Sequence, residues 1–339
     1  MPTPPMLNLQ STAEGVLPGQ MLEGAIRAGY VDAGRFKIPE ANVQPASLDL
    51  RLGERALRIR CSFLPGTDSV ERKLKDYILD EIDLRGDGAM LEAKCPYLIE
   101  LKERLDLPAG LRGKANPKSS TGRIDVFTRV ITDGSDRFDE IAPGYSGPLY
   151  LEVVPLSFPV RVKEDLTLNQ LRLSMGRPWL TDDEVRAAHL EVPMLYRAGE
   201  PVPVGDLVLS SGLFLGLDLG GDERGQVGYS ARDSAPLLDL TTGGEVDPRP
   251  FWDPVYREAG DRLVPLVEDG RGQVRRADFV VAEPGPADGQ PELVQREVLL
   301  DPDGERKRDD LQVEGPAVAR RHLVEAVAAV GDDPGEHVD

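Results

Sequence analysis

The sequence predicts a mainly β protein, an antiparallel sandwich or barrel with a few short helices. Apolar and polar residues alternate with period two from about residue 43 onward, as half-buried strands require. Gly (35) and Pro (29) are abundant enough to punctuate the chain at short intervals. The apolar segments follow one another too closely for the crossover helices that a parallel sheet needs.

The first element is a short helix. Pro18 suits a first helical turn, Met21, Leu22, Ala25 and Ile26 form an apolar stripe, and Gly29 stands where a C-terminal cap belongs. Two alternating stretches follow, Ser47-Leu48-Asp49-Leu50-Arg51-Leu52-Gly53 and Ala56-Leu57-Arg58-Ile59-Arg60-Cys61-Ser62-Phe63. Further strands are predicted over 97–105, 126–132, 148–154, 158–163 and 168–174, separated by turns such as Leu107-Pro108-Ala109-Gly110 and Ala142-Pro143-Gly144. Thr181-Asp182-Asp183-Glu184 then caps a second short helix. The chain begins to repeat: Leu217-Asp218-Leu219-Gly220 echoes Leu48-Asp49-Leu50-Arg51 at an offset of 218 − 49 = 169 residues.

The 339 residues correspond to roughly two domains of about 150 residues. The expected organisation is a first β-domain over 1–178, an incomplete second copy over 179–263, and an acidic, partly disordered tail over 264–339. That tail has little apolar alternation, with one amphipathic helix over 316–330. The net charge of −19 excludes a broad positive face for nucleic-acid polymers or anionic membranes. No apolar run approaches a membrane span, and MPTPPMLNLQ lacks the marks of a signal peptide, so a cytoplasmic protein is expected. Cys61 and Cys95 are too few for a disulfide framework or a four-Cys zinc site.

Two segments carry candidate chemistry. Asn116-Pro117-Lys118-Ser119-Ser120-Thr121-Gly122-Arg123 sets two cations around three hydroxyls, inside a positive island of Arg112, Lys114, Lys118, Arg123 and Arg129. It reads either as an anion cradle or as a solvated turn. Glu152 lies in the otherwise apolar run Leu149-Tyr150-Leu151-Glu152-Val153-Val154. It is either a partly desolvated general acid/base or a residue on the solvent face of an edge strand.

In order along the chain, Val43-Gln44-Pro45-Ala46-Ser47-Leu48-Asp49-Leu50-Arg51-Leu52-Gly53, Lys118-Ser119-Ser120-Thr121-Gly122-Arg123, Pro143-Gly144-Tyr145-Ser146-Gly147 with Leu151-Glu152, and Leu168-Asn169-Gln170-Leu171-Arg172 resemble the motifs of the dCTP deaminase branch of the trimeric dUTPase-like superfamily. The longer, tandem form of that deaminase is the nearer likeness, and Gly228-Tyr229 through Phe251-Trp252-Asp253-Pro254 resembles its middle section. The resemblance implies a dUTPase-like fold, a trimer, and metal-independent hydrolysis of dCTP to dUTP and ammonia in dUMP/dTTP supply. Glu152 would activate water against C4 of cytosine and pass protons to N3 and the leaving amine. Ser119 and Arg123 would position the water and stabilise the tetrahedral state. Lys118, Ser120 and Gln170 would hold the phosphates, with Mg²⁺ bound through those phosphates and no zinc. The strand backbone near Val130–Thr132 would read the base, and Tyr145 would pack near the deoxyribose.

The chain also departs from the pattern. Lys118 stands where Arg is usual, and Ala142 where dUTPases and short relatives place an Asp, which weakens a dUTP-hydrolysing reading. Projected by 169, Lys118, Arg123 and Glu152 fall on Ala287, Glu292 and Arg321, so one site per chain is expected. The rival readings are a dUTP diphosphatase and a non-catalytic nucleotide-binding member of the fold. A zinc deaminase needs H-x-E followed by P-C-x-x-C, and His189-Leu190-Glu191 has no Cys after it.

Overall fold

The computed structural model describes residues 14–197, 200–210, 212–213, 224–243, 246–256, 294–300 and 306–312. They fall into two units. In the first, β1 (Gly15–Val16) leads to α1 (Gly19–Arg27), which Pro18 precedes as its N-cap. Next come β2 (Val31–Asp32), β3 (Leu48–Ile59), α2 (Val70–Leu74), β4 (Ile78–Asp83), β5 (Ala89–Leu91) and β6 (Tyr97–Asp106). The chain continues through β7 (Leu111–Pro117), α3 (Ser119–Arg123), β8 (Val126–Thr132), β9 (Glu140–Ile141), β10 (Ser146–Pro155), β11 (Val160–Val162) and β12 (Thr167–Met175).

Seven strands form one antiparallel path, β8-β10-β6-β3-β12-β7-β9, with β1 beside β12, β2 beside β6 and β4 beside β3. The fold is mainly β, as the alternation predicts. The two segments expected around Gly53 are one strand. Leu48–Arg51 of β3 pair with β12, and its later residues pair with β6 and β4, with a register shift between Leu52 and Ala56. Gly53 sits at that shift, where a Cβ would run into the carbonyl oxygen of Glu100. The predicted break is therefore a bend against β6. β7 was not predicted, because after Leu111 its buried alternate residues, Gly113 and Ala115, are small beside Arg112, Lys114 and Asn116. The Lys118–Arg123 loop folds into the single turn α3.

β10 lies between β8 and β6. Its Leu149, Leu151 and Val153 are fully buried on one face. On the other, Tyr150 packs with Ile59, Phe63, Val70, Leu74, Leu98 and Ile131. α2, capped by Ser69, supplies Val70 and Leu74 to this layer.

Asp139 bridges the two ends of the strand path. Its N–H donates to Val130 O at 2.9 Å, its Oδ1 accepts from Val130 N at 2.7 Å, and its carbonyl accepts from Ala115 N at 2.8 Å. Its φ of 63° is a left-handed conformation that Asp and Asn tolerate. Burial, the dominant cause, pushes this carboxyl up to about 7. A folded-state value above the unfolded one means that the folded protein holds a proton the unfolded chain has released. The contribution is thus fully present below about pH 4 and declines as pH rises towards 7. Asp139→Asn keeps the acceptor and the conformation, so we expect it to remove that part of the decline. Urea unfolding midpoints of both proteins across this window check it; equal slopes would exclude the effect.

Ala231–Trp252 also belongs to the first unit, although the sequence placed it within 179–263. Phe251 and Trp252 meet Phe158 edge-on at 5.3 and 5.0 Å. The second unit begins with α4 (Asp182–Glu191), closed by a Thr181/Glu184 capping box as predicted. It continues with β13 (Tyr196–Arg197), β14 (Glu200–Pro201) and β15 (Gln226–Ala231). β16 (Leu238–Asp239) pairs in parallel with β11, both within the first unit, and β17 (Trp252–Tyr256) pairs with β15. Within the acidic tail, β18 (Val294–Leu300) and β19 (Arg306–Gln312) form a hairpin whose Gln312 pairs with Tyr196. The predicted helix over 316–330, the repeated Leu217-Asp218-Leu219 and the projected positions Ala287, Glu292 and Arg321 lie outside the described residues.

Candidate active site

Three groups of side chains assemble on the first unit. The first surrounds Glu152. Alternation along β10 turns Glu152 to the same face as Tyr150, and the register sets it directly opposite Arg129 of β8. The residue is 1% exposed and lies on a central strand, which rules out the solvent-face reading. Ser62 Oγ donates to its Oε2 at 2.6 Å, and Arg129 Nη2 donates to its Oε1 at 3.1 Å and to Ser62 Oγ at 2.6 Å.

The second group lies where β3, β7 and β12 meet. Lys118 Nζ bonds the carboxylate of Asp49 and, at 3.0 Å, Thr167 Oγ1. The register puts Gln170 between Asp49 and Asn116, and its Oε1 accepts from Ser47 Oγ at 2.9 Å. Asp49 is buried, so its carboxylate fixes the direction of Lys118, whose side chain is 27% exposed.

The third group is the outer edge of β8. Val130 and Thr132 point their backbone N–H and C=O away from β10, since Ile131 between them faces it. Asp139 occupies the groups of Val130, and those of Thr132 lie further along the same edge. The Thr132 side chain is buried. Tyr145 braces this end: its hydroxyl accepts from Asp133 N at 3.3 Å and donates to Pro148 O at 2.6 Å, and burial pushes it up to about 12.

Of the sequence-derived site residues, the structure brings Lys118 and Gln170 together, and sets Tyr145 beside Thr132. Ser119, Ser120 and Arg123 are exposed on α3, and no described contact joins them to Glu152 within one chain. The positive island is not one patch: Arg129 pairs with Glu152, Lys118 with Asp49, and Lys114 with Glu140 at 3.6 Å. Arg129, Ser62 and Asp49 were not assigned these partnerships from sequence. Arg129 and Glu152 are strand neighbours only once the β8–β10 register is known, and Ser62 is 90 residues from Glu152.

His189, the first residue of the H-x-E match, is buried with Nε2 at 2.8 Å from Val202 O and Nδ1 accepting from Met194 N at 3.0 Å. Both ring nitrogens are committed to backbone, which leaves none for a metal. Among the described residues no helix is long and apolar enough to cross a membrane.

The profile of the 2'-deoxycytidine 5'-triphosphate deaminase N-terminal domain matches residues 13–177, and that of the C-terminal domain matches 181–269. The dCTP deaminase of Natronomonas pharaonis is 31% identical over 151 residues, which are 42% of this chain and 73% of that protein. The chain belongs to the dCTP deaminase family. A "dCTP deaminase, dUMP-forming" of Halobacterium salinarum is 29% identical over 134 residues, 39% of this chain and 66% of that one. The crystal structure of 2'-deoxycytidine 5'-triphosphate deaminase from Agrobacterium tumefaciens superposes with a TM-score of 0.66 at 36% identity, over 73% of this chain and 72% of that chain. The family match runs through all three groups of side chains described above.

Proposed function

We propose that this protein hydrolyses dCTP to dUTP and ammonia. The observation that carries the reading is Glu152, a carboxylate withdrawn from solvent on a central strand, both of its oxygens held, in a chain of this family. Glu152 takes a proton from water as the oxygen attacks C4 of cytosine, and passes it to N3. It then takes the proton of the new C4 hydroxyl and delivers it to the amine as the C4–N bond breaks, so that C4 becomes a carbonyl and the amine leaves as ammonia. Water is the only co-reactant. Ser119 and Arg123 orient the water and stabilise the tetrahedral oxygen. The edge of β8 at Thr132 reads the base, and Tyr145 packs beside the sugar.

Lys118, Ser120 and Gln170 hold the triphosphate, which carries Mg²⁺ on its own oxygens. Among the described residues no three carboxylates, histidines or cysteines converge on one point as a resident ion site. Lys118→Met is expected to raise KM for dCTP about 10-fold or more, the loss of one charge-assisted contact, with kcat changed far less. Steady-state kinetics at saturating Mg²⁺ check it.

The exposure of Ser119, Ser120 and Arg123 supports a homotrimer in which α3 of one copy completes the site of its neighbour. The reading is of a cytoplasmic enzyme supplying dUTP for dUMP and dTTP synthesis, with no nucleic-acid polymer or membrane as partner.

Incubating the purified full chain with dCTP, dCMP and dUTP tests the proposal. Ammonia with dUTP from dCTP supports it. Pyrophosphate and dUMP from dUTP select a diphosphatase, and nucleotide-dependent thermal stabilisation without turnover selects a binding protein. Ala142 at the turn before Tyr145 favours dUTP over dUMP as the product.

A further inference from the structure

Arg129 and Ser62 do more than satisfy a buried charge. With Glu152 they close a ring of three side chains: Arg129 Nη2 contacts both Ser62 Oγ and Glu152 Oε1, and Ser62 Oγ contacts Glu152 Oε2. A serine hydroxyl has one proton, and this one points at Glu152, because the other side of the oxygen receives the Arg129 donor. Rotating the carboxylate breaks its bonds to both partners. Arg129 is itself clamped, its guanidinium 3.7 Å above the centre of the Phe138 ring and 5.1 Å from that of Phe127. The two ends of the ring differ in length. Oε2 is engaged by Ser62 at 2.6 Å, and Oε1 by Arg129 at 3.1 Å, so Oε1 is the less tightly held oxygen. The Arg129 side chain is 23% exposed, whereas the Glu152 side chain is 2% exposed, so the ring reaches the surface through Arg129.

We propose that Arg129 and Ser62 are positioning residues of the deamination. They fix the plane of the Glu152 carboxylate and present Oε1 to the attacking water. The assignment rests on the deaminase reading. Neither residue need touch the nucleotide. Their loss therefore lowers kcat and leaves KM nearly unchanged, the opposite of the pattern expected at Lys118.

Ser62→Ala, Arg129→Lys and Arg129→Gln are compared with the parent in the full-length protein by ammonia release from dCTP, with KM and the thermal midpoint measured for each. Ser62 is half-buried in the turn after β3, so its truncation keeps the fold even if Arg129→Gln does not. Loss of one hydrogen bond to a charged group corresponds to roughly 10–100-fold in rate. We expect kcat of Ser62→Ala to fall about tenfold and that of Arg129→Gln about 100-fold, with KM little changed. Arg129→Lys recovers part of the rate. Added guanidinium ion restores part of the activity of Arg129→Gln but none in Glu152→Gln. Parental kcat in Ser62→Ala and Arg129→Gln overturns the assignment. So does a loss that follows the thermal midpoint, with no rescue by lysine or guanidinium. A parent that releases no ammonia from dCTP overturns the deaminase reading, and this assignment with it.

Discussion

Glu152→Gln is expected to lower ammonia release from dCTP by about 10²–10⁴-fold, the usual contribution of a positioned general acid/base. The substitution is close to isosteric in a fully packed strand, so it removes proton-accepting capacity without opening a cavity. Its side-chain carbonyl can still accept from Arg129, and its amide nitrogen then faces the Ser62 oxygen. Ser62 can accept that amide on its second lone pair, but its proton must rotate away and loses its carboxylate acceptor. One hydrogen bond is therefore lost, which costs about 1 kcal/mol of stability, too little to unfold the domain. The triphosphate contacts proposed for Lys118 and Gln170 lie at the N-cap of α3 and on β12, so nucleotide binding should persist within a few-fold. Calorimetric titration with dCTP alongside the rate measurement separates the two effects. A variant that turns over at the parental rate would remove Glu152 from the mechanism, and one that fails to bind dCTP would make its role structural.

Much of this site was legible as residues and little of it as partnerships. The strand over 126–132 has the predicted bounds, and 148–154 sits inside Ser146–Pro155, because their alternation is carried by large apolar side chains. Glu152 stood out as one acid among aliphatic neighbours. What alternation leaves open is register. Residues 133–145 join β8 to β10, too long a connection for turn geometry to set which residues face each other. Arg129 could thus be counted with a phosphate-binding island when it in fact neutralises Glu152. The partnership of Asp49 is hidden for the same reason. Its link to Lys118 is made through β12, which pairs with β3 on one side and β7 on the other. A local charge count along the chain misreads a β-protein wherever strands distant in sequence set cations beside acids.

The buried cluster around Arg51 carries the largest expected effect on stability. Arg51 on β3 is 6% exposed in its side chain, and Glu103 on β6 is fully buried. Arg51 Nε meets Glu103 Oε1 at 2.7 Å, and the Arg51 backbone N–H donates to Glu103 Oε2 at 2.7 Å. Arg51 Nη1 reaches Asp165 at 3.4 Å, while buried Lys102 binds Glu164 at 3.0 Å and Asp165 at 2.7 Å and lies 4.4 Å over the Phe36 ring. Desolvation is the largest influence on Glu103 and pushes its carboxyl up, so its ionised form depends on Arg51. Arg51→Met leaves that carboxylate unpaired in the interior and should destabilise the domain by about 3–5 kcal/mol at neutral pH. The deficit has a definite pH sign. Without Arg51 the folded state holds Glu103 protonated well above the unfolded carboxyl value of about 4.3, so the penalty is small near that value and grows as pH rises. Adding Glu103→Leu removes the stranded acid and should recover most of the loss, because a packed apolar pair is often as stable as a buried ion pair. Urea unfolding of the parent, the single variant and the double variant at pH 5 and pH 8 measures all three effects. If Arg51→Met loses the same stability at both pH values and Glu103→Leu recovers none of it, then packing of the arginine stem, and not the charge of Glu103, is what holds β3 to β6 at this point.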